Sequence, residues 1–214
     1  MATGGAKSNA HTWRPDVPRA YQAVDRHHPA GSPGLSVPTM TVLQQHCGFW
    51  DRDNDGRIYP LDTYRGCREL GMSLLLAAGF TWLLHFTLLD SWLLHPYLPI
   101  YLKNIHRIKY ASDSGVYDEE GRMYPYKFEQ IWSTLGAEEI RSFADVRRLV
   151  WANKTVGDPL GWLASFMSWG LLWLIARDSA GVLSREAVRG CFDGTLFYRI
   201  AEQRRARALA SKYE

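Results

Sequence analysis

A chain of 214 residues with 22% charged residues and a formal charge of +3 has room for one ordinary domain and the composition of a globular one. So small a charge, with no basic run interleaved with aromatics, sets a nucleic-acid reader aside. Cys47, Cys67 and Cys191 lie far apart without a Cys-x-x-Cys pair, which excludes a zinc knuckle or disulfide framework and fits buried free thiols in a reducing compartment.

In chain order, residues 1–38 carry Pro15, Pro18, Pro29, Pro33 and Pro38 among scattered Gly, Ser and His. No helical or strand period emerges, so a disordered arm is expected. The start also lacks the basic and apolar regions of a signal peptide, which predicts a chain facing the cytosol. Folding is expected from residue 39, since Val42, His46, Phe49 and Trp50 fall at helical spacing and lead into a loop at Asp51.

That loop, Asp51 to Asp62, fits the EF-hand pattern. Asp51, Asp53 and Asp55 stand at positions 1, 3 and 5 as hard oxygen ligands, and Gly56 makes the turn at position 6. Arg57 would offer its backbone carbonyl at position 7, and Ile58 is the apolar residue of a short strand. Asp62 replaces the usual bidentate Glu at position 12, and its shorter reach leaves calcium against magnesium open. Three alternating aspartates before a glycine are too specific for a plain charged turn.

An exit helix is expected after Pro60, with Leu61, Tyr64, Cys67 and Leu70 at helical spacing. The apolar run Met72 to Leu89 follows, short of the ~20 residues a full span needs and interrupted by Ser73, Thr81, His85 and Thr87. Pro96 and Pro99 stop or bend any helix beyond it. A second apolar run, Trp162 to Ala176, is expected to be buried or to lie in an interface. Residues 199–214 form a basic, helix-prone tail.

Two weaker echoes of the first loop appear. "VYDEEGRMYP", Val116 to Pro125, keeps Asp118, Glu120, Gly121 and Met123 but has Val116 and Lys127 at the first and last ligand places. "RDSAGVLSREAVRGC" keeps Asp178, Gly181 and Leu183. The expectation is a mainly α, EF-hand-like helical domain over residues 39–198. It has one intact calcium loop, degenerate partner loops, the Val116 loop pairing with the first, and an apolar segment over 72–103 that associates with a membrane or lipid droplet.

The blocks "LQQHCGFWDRDNDGRIYP", "PYLPIYLKNIH", "SDSGVYDEEGR" and "LSREAVRGCFDGTLF", in this order, resemble those of the caleosin family, calcium-binding haem peroxygenases of lipid droplets. The resemblance covers roughly residues 41–198. It implies haem b and calcium as cofactors, fatty-acid hydroperoxides and unsaturated lipids as partners, and a cytosol-facing lipid-droplet or membrane location. Carried over by motif, it implies haem axial ligation by His46 and by His106 in "KNIHR". Two departures stand out. Tyr110 replaces a further family histidine, and the proline knot keeps Pro96 and Pro99 with Leu94 at its third place.

Without the resemblance, His46 and His106 read as packing or surface histidines. A non-covalent haem leaves no short motif, needing only an imidazole and a dry aromatic pocket. Walls for one are available in Trp82, Phe86, Trp162, Phe166, Trp169 and Trp173, which are equally core or membrane-facing residues. His85, ionisable within an apolar run, is the one acid–base candidate, weighed against a satisfied core histidine. If residues 72–89 crossed a bilayer once, His46 and His106 would lie on opposite sides, so a shared site demands a hairpin or an interfacial helix. A non-catalytic calcium-binding protein of the lipid-droplet surface is the competing reading, a plain calcium sensor the third, and homo-oligomerisation stays open.

Overall fold

Residues 19–33, 39–88, 97–108 and 111–212 are described in the computed structural model. Each short strand sits immediately ahead of a helix. Helix α1 (Val42–Gly48) leads through β1 (Arg57–Ile58) to α2 (Pro60–Glu69), and α3 (Leu74–Thr87) leads to β2 (Ile100–Tyr101) and a 3-10 helix (Leu102–Arg107). Then α4 (Pro125–Leu135) leads through β3 (Glu139–Ile140) to α5 (Phe143–Ala152), and α6 (Pro159–Ala176) through β4 (Leu183–Ser184) to α7 (Arg185–Phe192). A last helix, α8 (Thr195–Ala210), continues into the basic tail. The described chain is thus mainly helical, as expected, with four helix–strand–helix units.

Local chemistry sets the helix starts. Thr41 and Gln44 form a capping box on α1, Ser142 and Asp145 another on α5, and Ser73, Asp158 and Ser184 cap α3, α6 and α7. Pro60, Pro125 and Pro159 occupy first-turn positions where a missing N–H costs nothing.

The strands join the units in pairs. Antiparallel β1 and β2 match Arg57 with Tyr101 and Ile58 with Ile100, while β3 and β4 match Glu139 with Ser184 and Ile140 with Leu183. This corrects the expected partner of the metal loop. The Val116 loop does not pair with it; Tyr117 instead bridges Met123 within the same hairpin, which leads directly into α4. Gly121 turns the hairpin back so that its carbonyl accepts from the Leu43 N–H at the start of α1 (3.0 Å). The weaker echo is the true helix–loop–helix unit, because Leu183 pairs across to Ile140 and Asp178 accepts from the backbone of Ala180 and Val182.

The arm also differs from expectation. Residues 19–33 pack on the body, with Ala20, Ala23 and Asp25 buried. Arg189 of α7 is buried, and a buried guanidinium needs a counter-charge. Asp25 supplies it, and Ala23 adds a carbonyl acceptor. Residues 1–18 and 34–38 lie outside the described residues, as do Leu94, Pro96 and Tyr110. Pro99 is buried just ahead of β2.

Helix α3 has 14 residues, so it spans about 21 Å at 1.5 Å per residue, short of a ~30 Å hydrocarbon core. It packs on α2 and α6, and β2 returns the chain to β1, so α1 and the 3-10 helix lie against each other. Among the described residues α6 is long and apolar enough to cross a membrane, yet it packs on α3, α5 and α7 and buries Gly161, Ala164, Trp169 and Leu172. What both helices leave outside is apolar: Leu75 is 87% exposed and Trp82 68%, Trp82 stacks on Phe86, and Leu160, Leu163 and Leu174 are exposed.

Candidate functional site

Two features carry chemistry, and α1 joins them. At the acidic loop, Asp51 is buried while Asp53 and Asp55 face outward, and oxygens of all three lie within 4.8 Å of one another. The Asp51 carboxylate accepts from the Asp55 N–H (3.1 Å) and the Gly56 N–H (3.0 Å), and Asp55 accepts from the Arg57 N–H (2.8 Å). Gly56 at φ +82° turns the chain inward. Burial pushes the Asp51 carboxyl up, the backbone hydrogen bonds oppose it, and Asp55 and Asp53 nearby add repulsion. A hard cation would relieve that repulsion. Asp62 is not part of this cluster; its Oδ2 accepts from the Tyr59 N–H (3.1 Å) and closes the first turn of α2. Arg57 enters β1 with its guanidinium over the Tyr101 ring.

The second feature is a cavity of about 230 Å³ where the hydrophobic clusters of the fold meet. His46, Cys47, Trp50, Tyr117, Trp169 and Phe197 are among its walls. The last carbonyls of α7 have no partner within that helix. His46 takes the Cys191 carbonyl through Nδ1 (2.7 Å), and the Tyr117 hydroxyl takes that of Phe192 (2.6 Å). A carbonyl only accepts, so Nδ1 carries the proton and Nε2 keeps a lone pair. Phe197 meets the ring edge-on at 5.5 Å and Tyr117 tilts against it at 5.9 Å. Burial holds the imidazole below its ordinary pKa, with the Cys191 carbonyl and Asp193 pulling the other way. Burial also pushes the Cys47 and Cys191 thiols up to about 12, leaving them protonated.

The other predicted residues fall elsewhere. His106 is buried on the 3-10 helix, where its Nε2 accepts from Arg107 Nε (3.2 Å). Its neighbours Ile105 and Ile108 line the cavity and His106 does not. His85 is a satisfied core residue, with Nε2 bonded to Thr63 Oγ1 (2.8 Å) and Nδ1 to the Leu98 carbonyl (2.7 Å). Of the expected aromatic walls only Trp169 lines the cavity; Trp82 and Phe86 are exposed. Trp50, Tyr117 and Phe197 replace them, brought together from distant chain positions that no local pattern links.

The profile of caleosin-related proteins matches residues 38–201. The chain belongs to the caleosin family. A protein of Lilium longiflorum named peroxygenase is 39% identical to this caleosin, covering 96% of the chain and 90% of its own length. An Arabidopsis thaliana protein named probable peroxygenase 4 is 36% identical over 76% of the chain and 86% of its own length. A third relative, also from Arabidopsis thaliana and named a probable inactive peroxygenase-like protein, is 32% identical over half of the chain (50%). No solved structure matches the chain significantly.

Proposed function

We propose that this caleosin is a calcium-dependent haem peroxygenase, transferring an oxygen from fatty-acid or other organic hydroperoxides to unsaturated lipids or other lipophilic acceptors. The observation that carries the reading is His46 in the apolar cavity, its Nδ1 engaged by the Cys191 carbonyl and its Nε2 left as a lone pair. That is the arrangement a metal-ligating imidazole needs, because the outer hydrogen bond fixes the tautomer and raises the ring's basicity. The largely apolar, aromatic wall suits a non-covalent b-type haem. Bound there, haem supplies the redox chemistry that divides a peroxide O–O bond and passes one oxygen on. His46 would hold the iron, Tyr117 and Phe197 would fix the ring, and the apolar wall would exclude water. His106 is not among the cavity's lining residues, so the reading rests on His46 as the residue that would hold the iron.

Calcium enters through α1. Asp51 lies five positions beyond His46, so a cation on Asp51, Asp53 and Asp55 would order the turn that follows the His46 helix. The exposed apolar face of α3 and α6 supports an interfacial seat on a lipid-droplet monolayer or membrane. The test is a Soret band from the purified chain supplied with haem, together with transfer of label from an ¹⁸O-hydroperoxide to an alkene. A chain that takes up no haem overturns the reading. Activity untouched by calcium chelation overturns the calcium coupling alone.

A further inference from the structure

Helix α8 carries a surplus of positive charge beside an exposed apolar tip. Arg204, Arg205, Arg207 and Ser211 line an open groove of about 560 Å³ along α8, and Ala208 leaves room between them. Glu69, near the end of α2, is the one carboxylate among the groove's described lining residues. It is already shared: Arg52 Nη2 donates to its Oε1 (2.7 Å) and Arg205 Nη2 to its Oε2 (3.0 Å). Arg52 above all, with help from Arg205, holds the Glu69 carboxyl below its ordinary pKa, so it stays ionised. Among the described residues neither Arg204 nor Arg207 has a carboxylate partner. Such a groove suits an anion with several acceptor oxygens, and the guanidinium fork matches the paired oxygens of a phosphate.

The groove's place in the fold says which kind of phosphate. Arg204 lies over the turn between α2 and α3, where a Cβ on Gly71 (φ +91°) would run into its guanidinium. Three residues further on, α3 opens with Leu74 at 60% exposure and Leu75 at 87%. Cations next to an exposed apolar helix tip fit a phospholipid, whose phosphate meets the arginines while its acyl chains meet the leucines. A free phosphate would leave the leucines in water. We propose that this groove binds the phosphate of an anionic phospholipid and gives the chain a preference among lipid surfaces. The proposal rests on the interfacial seat of α3 and α6: the apolar face meets any monolayer, and the groove adds selection for negative charge.

The test is binding of the full chain to phosphatidylcholine vesicles with and without about a fifth of phosphatidylserine. The parent should prefer the anionic vesicles by about 25-fold, roughly fivefold for each of Arg204 and Arg207. Arg204→Gln combined with Arg207→Gln should bring that preference to about fivefold or less and leave binding to phosphatidylcholine unchanged. Arg141→Gln combined with Arg147→Gln removes the same charge near α5 and should keep the preference. Inorganic phosphate at constant ionic strength should also leave it intact. A parental preference below about threefold, or an equal loss in the Arg141 and Arg147 pair, overturns the proposal. Full reversal by inorganic phosphate assigns the groove to a free anion and overturns it too. If the first pair does not fold, Arg207→Glu alone carries the comparison, with a loss of about fivefold or more expected. Absence of binding to phosphatidylcholine vesicles sinks the interfacial seat, while the two arginine pairs on anionic vesicles still report on the groove.

Discussion

His46 and His85 are both buried imidazoles, and they differ in what their rings have left to offer. His85 spends both nitrogens on Thr63 and Leu98, so it stabilises the junction of α2 and α3. His85→Ala orphans a buried hydroxyl and a carbonyl, at about 1–3 kcal/mol each. Thermal melts should show that loss while haem binding survives. Burial holds both histidines below their ordinary pKa, with carbonyl acceptors and nearby acids only partly offsetting it. Above pH ~6.5 neither state carries the proton, and stability is level. Below it the unfolded chain takes up protons that the folded chain refuses, so stability falls with pH until the folded-state values are passed. The slope should reach about 1.4 kcal/mol per pH unit per histidine in denaturant titrations, and His85→Gln should remove its share.

At the scale of elements, the turn between α7 and α8 sets the place of His46. Gly194 sits at φ +82°, and a Cβ there would meet the Gln45 carbonyl oxygen at 2.3 Å and the His46 Cα at 3.1 Å. Gly194→Ala is therefore expected to cost about 2 kcal/mol or more, from left-handed backbone strain plus displacement of α1, read as a lowered melting midpoint. Helix α1, the acidic loop and α2 were legible in the sequence because spacing, turn glycine and first-turn proline are local signals. The partner of β1 was not, since Ile100 and Tyr101 meet it from more than forty residues away. The "EGRMYP" echo preserved a glycine turn, but its hairpin bridges within itself through Tyr117 and Met123.

Over the whole molecule, the arm and the C-terminal units are tied by a buried charge pair. Burial alone would push the Asp25 carboxyl up, but the Arg189 guanidinium and the His27 and His28 N–H groups outweigh it and hold it below the usual range. Removing one partner leaves an uncompensated buried charge, so Asp25→Ala should destabilise the fold by about 3–5 kcal/mol, and pairing it with Arg189→Met should restore part of that loss. Composition marked the arm as unstructured because proline spacing carries no trace of a distant buried arginine. The cavity was equally hidden: His46 was named, but Tyr117 and the Cys191 carbonyl join it only through the fold. The central proposal is that His46, and not His106, would hold the haem iron. Reconstitution with haem of His46→Ala and His106→Ala, compared by their Soret bands, tests it most directly. The account predicts a lost or strongly shifted band for His46→Ala and a parental band for His106→Ala; a parental band in His46→Ala would contradict it.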